Sequence, residues 1–292
     1  MRVESYREEF TELIDPEIIV EKIADGFSFT EGPIWDNLHN RLLFSDIPSN
    51  KIFSWSSDQG VSIYRSPSNF SNGLTYDPNG NLIACEHQTR SISLQTGTNK
   101  VITLANSYNG MKLNSPNDVI AARDGSILFS DPIYGLRIGM GGPAEQELPF
   151  QGVFRLPPGS SQLELITDSF ERPNGLVLSP DEKHLFIGDT VRQHIRVFNI
   201  SKDWEISGGQ IWAELWDDEH VGRPDGMKVD IHGNLFSTGP GGIWVLDKKA
   251  NLLGRIFLPD KTSNLSWGDQ DRKSIFITSS SAIYRIRCIT NG

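Results

Sequence analysis

R-P-N-G-L-V-L-S-P-D at Arg172–Asp181, followed by H-L-F-I-G-D at His184–Asp189, decides the fold of this chain. A turn motif leads into alternating apolar residues, P-D-E-K at 180–183 supplies a tight turn, and a second strand-like run follows. The same unit returns as T-E-G-P-I-W-D at Thr30–Asp36, F-S-N-G-L-T-Y-D-P at Phe70–Pro78, S-P-N-D-V-I at Ser115–Ile120, R-P-D-G-M-K-V-D at Arg223–Asp230 and T-S-N-L-S-W-G-D at Thr262–Asp269. Their partner runs are R-L-L-F-S-D, N-L-I-A-C-E, S-I-L-F-S-D, N-L-F-S-T-G and S-I-F-I-T-S. The spacing, roughly 40–57 residues, is that of propeller blades. The expected fold is all-β, a six-bladed β-propeller. Aromatics recur at equivalent points (Trp35, Tyr76 and Trp267; Phe44, Phe129, Phe186, Phe236 and Phe276) and are expected to pack between blades.

Working outward, residues 17–292 form one propeller domain and residues 1–16 a short N-terminal extension. Residues 6–14 are read as a helix that packs Tyr6, Phe10, Leu13 and Ile14 and ends at Pro16. Ile18–Ala24 alternates as a strand that belongs to no complete blade. It is expected to pair with the last blade and close the ring, which removes an exposed sheet edge. The one break in rhythm is the Gly- and Pro-rich insertion at 132–150, read either as a surface loop or as a lid or rim over the central pocket. Its G-x-G-G is not a dinucleotide fingerprint, because no strand–helix unit surrounds it.

The 292 residues carry a net charge of −10, which argues against nucleic acid as partner. The start of the chain lacks an apolar signal region and no stretch approaches a membrane span, so the expectation is a cytoplasmic protein without membrane contact, monomeric or homodimeric. Cys85 and Cys288 are expected as buried thiols, although ring closure leaves a bridge between them open.

In a propeller the innermost strands run the same way around the axis, so residues just before them meet at one mouth. Here those positions are Glu31, Asn72, Asn117, Asn174, Asp225 and Asn264. An anionic pair, Glu31 and Asp225, with amides at Asn117 and Asn174 suits Ca²⁺, Mg²⁺ or Mn²⁺. Three or four protein ligands leave the shell open, which suggests catalysis or exchange. Asn–Gly and Asp–Gly pairs also simply make turns, a reading that weighs most on Asn72 and Asn264. His87, at the end of a strand beside Glu86, is placed to reach the pocket. His39, His184, His194, His220 and His232 fall in turns or outer segments and are expected in solvent. There is no G-x-S-x-G, H-E-x-x-H or P-loop.

E-G-P-x-W near the N-terminus, L-N-S-P-N-D-V at 113–119, F-S-D-P-x-Y-G-L at 129–136, R-P-N-G-L-x-x-S-P-D at 172–181 and R-P-D-G-M at 223–227 resemble the gluconolactonase, regucalcin and luciferin-regenerating family over residues 17–290. The S-P-N-D and D-P-x-Y-G-L forms are most similar to its bacterial gluconolactonase branch. The resemblance implies a six-bladed propeller with one axial divalent metal, Ca²⁺ first and Mg²⁺, Mn²⁺ or Zn²⁺ as alternatives. Its ligands fall on Glu31, Asn174 and Asp225, and Asn117 becomes a substrate contact. The regucalcin branch has Arg two residues before that Asn, where this chain has Ser115. His87, Tyr134 and Arg137 are candidates to replace the missing sugar contacts. The implied chemistry is hydrolysis of a small-molecule sugar lactone to its aldonic acid: the metal polarises the carbonyl and Asp225 serves as general base to the attacking water. Alternatives on the same scaffold are a phosphotriesterase and a non-enzymatic calcium-binding propeller.

Overall fold

The structure is a computed structural model and describes residues 1–97 and 100–292. Two strands precede the ring: β1 (Arg2–Ser5) and β2 (Glu21–Asp25). Blade one comprises β3 (Thr30–Asp36), β4 (Arg41–Asp46), β5 (Lys51–Ser56) and β6 (Gly60–Arg65). Blade two comprises β7 (Ser71–Tyr76), β8 (Leu82–Glu86), β9 (Ser91–Thr96) and β10 (Lys100–Ala105). A two-strand ribbon, β11 (Ser107–Tyr108) with β12 (Met111–Lys112), leads into blade three: β13 (Val119–Ala121), β14 (Ile127–Asp131), β15 (Gly152–Leu156) and β16 (Glu164–Thr167). Blade four holds β17 (Pro173–Leu178), β18 (His184–Asp189), β19 (His194–Ile200) and β20 (Ile206–Glu214). Blade five holds β21 (Met227–Val229), β22 (Leu235–Gly239), β23 (Gly242–Leu246) and β24 (Leu252–Phe257). Blade six holds β25 (Thr262–Gly268), β26 (Ser274–Ser279) and β27 (Ala282–Arg287).

Each blade is an antiparallel meander whose first strand is innermost. Successive inner strands pack side by side, and β25 packs back on β3, which closes the ring. β2 supplies the fourth strand of blade six, pairing Glu21 with Arg285 and Asp25 with Ala282. The closing strand expected from Ile18–Ala24 is thus present, shifted slightly towards the first blade.

The extreme N-terminus differs from the helical expectation. β1 adds a fifth strand to blade five against β24, Arg2 facing Phe257, and only Glu8–Glu12 is helical, as a 3-10 turn. The amides of Tyr6 and Arg7 both donate to the Leu253 carbonyl, so the free edge of β24 competes successfully with helix formation. Phe10 and Ile14 are nevertheless fully buried, in the core between blades five and six.

Hairpins follow the turn chemistry of the sequence. In D-P-N-G-N, D-I-H-G-N and D-K-K-A-N, the carboxylates of Asp77, Asp230 and Asp247 each take two backbone amides and the side chain of Asn81, Asn234 or Asn251 at 2.8–2.9 Å. The aromatics pack between blades: Trp35 stacks on Phe276 at 5.0 Å and 15°, joining blades one and six, and Phe236 meets Trp267 edge-on at 5.1 Å. Cys85 and Cys288 are both buried free thiols. Among the described residues, no helix is long and apolar enough to cross a membrane.

Candidate active site and metal centre

The repeat delivers its polar residues to the axis by a local device. In blades one, three and four the acid that ends the second strand holds the backbone that enters the first. Asp46 accepts from the amides of Ser28 and Phe29, both at 3.0 Å. Asp189 accepts from Glu171 at 2.8 Å and Arg172 at 3.3 Å. Asp131 accepts from Asn114 at 2.7 Å, and Glu86 takes the Asn69 side chain at 2.8 Å. Glycine follows four of the six axial residues (Gly32, Gly73, Gly175 and Gly226), and the reason is steric. A Cβ on Gly175 would sit 1.9 Å from the Asp225 carbonyl, so the inner strands of blades four and five approach too closely for any side chain there.

Glu31, Asn72, Asn117, Asn174 and Asp225 line one pocket at the mouth, together with His87, Tyr134, Arg137, Met140, Thr190 and Lys261. The sequence-selected residues therefore converge. Asn264 lies beside them, donating from Nδ2 to Glu31 Oε2 at 3.1 Å. Its own Oδ1 is taken by the Leu265 amide at 2.9 Å, so Asn264 acts here as a donor. Glu31 Oε2 also accepts the Gly32 amide at 2.8 Å. Tyr134 is half-buried, with the Arg172 guanidinium 5.0 Å from its ring, and Arg137 is exposed at the rim.

Asn174 is oriented by a relay. Its Nδ2 donates to Thr190 Oγ1 at 2.9 Å, and that hydroxyl donates to the Pro224 carbonyl at 2.8 Å. The relay fixes the amide flip and leaves Oδ1 of Asn174 buried with no hydrogen-bond partner.

Three side chains were missed from sequence. Asp118 is buried, its Oδ2 3.5 Å from Asn264 Nδ2 and its Oδ1 on the Val119 amide at 2.9 Å. A signal existed: Asp118 stands where four of the six motif copies have Gly (Gly32, Gly73, Gly175, Gly226). Thr190 and Lys261 carry no repeat signal, because a strand end and a loop bring them to the mouth only after folding.

Crowded acids dominate the electrostatics. Burial, then the charge of Asp118, raises the Glu31 carboxyl to about 7. Burial, then the charge of Glu31, pushes Asp225 well above the usual carboxylate range, and burial raises Asp118. Lys261 offsets part of this at Glu31 and Asp225. Among the described residues, no three His, Cys, Asp or Glu side chains form a ready-made ligand cluster. The fit to a hard cation rests instead on two buried carboxylates plus the orphaned amide oxygen of Asn174.

The outer histidines only partly follow expectation. His39 and His220 pair with Asp36 and Asp217 at 2.8 and 2.9 Å, both partly in solvent. His194 is buried at the start of β19, contrary to its assignment to solvent, because that strand starts inside the blade.

A closed six-bladed ring with an acidic and amide-lined cup at one mouth defines a class of axial-site propellers. Residues 29–281 match the model of the SMP-30/gluconolactonase/LRE-like region, and the chain belongs to that family. It is 33% identical to a gluconolactonase of Zymomonas mobilis, over 96% of this chain and 84% of that one. The gluconolactonase structure from Xanthomonas campestris superposes with TM-score 0.92 at 32% identity, covering 99% of this chain and 95% of that one. A regucalcin from Agrobacterium tumefaciens, described as a calcium-binding protein, shares the fold with TM-score 0.76 at 13% identity, covering 94% and 95%.

Proposed function

We propose that this protein is a lactonase that hydrolyses a sugar lactone to its aldonic acid with one divalent cation, Ca²⁺ first, held by Glu31, Asn174 and Asp225. The enzyme class follows from the gluconolactonase relatives at 32–33% identity. The observation that carries the cation is the buried, unpartnered Oδ1 of Asn174, fixed by Thr190 beside two carboxylates that burial and mutual repulsion would otherwise keep protonated. A cation bound there supplies Lewis-acid polarisation of the lactone carbonyl.

The chain's own residues do the rest. Asp225 holds the attacking water and takes its proton, a carboxylate beside the cation being well placed to do so. Asn117, Tyr134, Arg137 and His87 line the pocket above it and position the ring. Lys261, at the same mouth, offers a positive charge to the carboxylate that ring opening creates.

The test is hydrolysis of D-glucono-1,5-lactone, followed by pH indicator with the spontaneous rate subtracted. The enzyme is stripped with chelator and then given Ca²⁺, Mg²⁺, Mn²⁺ or Zn²⁺. The expected result is loss on stripping and recovery with one ion. Full activity after exhaustive stripping would overturn the cation, and no activity with any ion would overturn this substrate.

A further inference from the structure

The 132–150 insertion clasps one side chain of the pocket. A Cβ on Gly135 would lie 2.4 Å from Cγ of His87, and one on Gly141 would lie 2.6 Å from its Cβ, so two backbone segments of the insertion grip the histidine. The grip is anchored. Ser115 Oγ accepts the Gly135 amide at 2.9 Å and donates to the Pro132 carbonyl. At the far end Arg90 Nη1 meets Glu147 at 3.1 Å, and the Lys112 amide donates to the same carboxylate at 2.9 Å.

The clasp also decides which ring nitrogen carries the proton. His87 Nδ1 lies 2.8 Å from the Met140 carbonyl oxygen. A carbonyl can only accept, so Nδ1 is the protonated nitrogen and Nε2 keeps its lone pair. Nε2 is on the side of Asn72, whose Nδ2 is 3.4 Å away, too long a contact to saturate the acceptor. Both side chains line the mouth pocket.

We propose that the insertion locks His87 as the Nδ1–H tautomer so that Nε2 accepts a hydrogen bond from a substrate hydroxyl, selecting hydroxylated lactones over unsubstituted ones. The inference rests on the lactonase reading and adds the substrate feature that is read. A substrate hydroxyl can donate to His87 Nε2 while accepting from the Asn72 amide. The other role open to such a nitrogen is general base. Burial holds the ring down to about 4, which makes it a weak base near neutral pH but a permanently neutral acceptor. Sites that pair a buried polar group with a substrate hydroxyl discriminate far better than apolar pockets do.

The experiment compares kcat/KM for D-glucono-1,5-lactone and for δ-valerolactone, which lacks hydroxyls, in wild type, His87→Asn and His87→Gln. Asn keeps a donor near Nδ1 for Met140 but does not reach the pocket; Gln reaches the Nε2 position with an amide oxygen. The expected result is a fall in the ratio of the two values by about tenfold or more in His87→Asn, with much of it retained in His87→Gln. ¹⁵N chemical shifts of the wild-type ring, assigned by difference from His87→Gln, should show Nδ1 protonated and Nε2 bare at pH 7. A ratio unchanged in His87→Asn, or a proton on Nε2, overturns the inference. If wild type opens both rings with equal efficiency, the inference falls and the lactonase reading stands. If it opens neither, the proposed substrate falls and the inference with it.

Discussion

At the scale of single residues, Asp225 and Glu31 face each other's charge in a buried cup, and that proximity is testable. Asp225→Asn should lower kcat on the lactone by about 10²–10⁴-fold, the usual range for a general base, without lowering the melting temperature. Unchanged turnover would exclude Asp225 from that role. Glu31 makes a linkage prediction for chelator-treated protein. Its carboxyl rises from an ordinary 4.5 to about 7 in the fold, so the native state binds the extra proton. The stability this group contributes is complete below about pH 4.5 and is lost as pH rises through about 7. Asp131, raised to about 7 by burial, adds a slope of the same sign, so the comparison is Glu31→Gln against wild type. Melting temperature against pH should fall less steeply in the variant, and Ca²⁺ should rescue wild type more at pH 8 than at pH 5. Parallel pH curves for the two proteins would count against the buried-carboxylate cup. The six axial positions were legible in the sequence because the repeat aligns them. Asp118 was legible only as a break in the x-Gly pattern, and its contact with Asn264 depends on the ring.

At the scale of elements, the N-terminal segment shows where local reading stopped short. The apolar spacing of Tyr6, Phe10, Leu13 and Ile14 fits a helix, and two of these residues are fully buried. The strand ahead of them exists because β24 offers an unpaired edge more than two hundred residues away, which no local pattern encodes. Phe10, packed against blades five and six, makes the segment structural. Phe10→Ala should cost about 3–5 kcal/mol by denaturant unfolding and leave kcat on the lactone near wild type. A cost below 1 kcal/mol, within the scatter of surface substitutions, would mean the segment is dispensable. The insertion was recognised as an irregularity from composition. Its role as a rim depends on Ser115, whose hydroxyl pins Gly135.

At the scale of the molecule, ring closure depends on β2 pairing with β27. Removing residues 1–5 takes away only the fifth strand of blade five and should keep a single cooperative unfolding transition. Removing residues 1–25 exposes the edge of β27 and uncovers Ile283 and Tyr284, and calorimetry should show a broadened or split transition. An undisturbed transition in the longer deletion would show that the hydrogen-bonded fourth strand is not what holds the ring.

The sequence by itself determined the class of fold, the number of blades, the closing strand and the residue types at the axis. These are written in period-two alternation, in turn residues and in the repeat, all of which act between neighbours along the chain. Only the tertiary structure decided that Asn264 donates to Glu31 across 233 positions, that Thr190 holds the Asn174 amide nitrogen and leaves its oxygen buried and unpartnered, and that His87 is held by the insertion. Those relations come from closing the ring, which brings distant strand ends within hydrogen-bond distance and removes the water that would otherwise separate their charges.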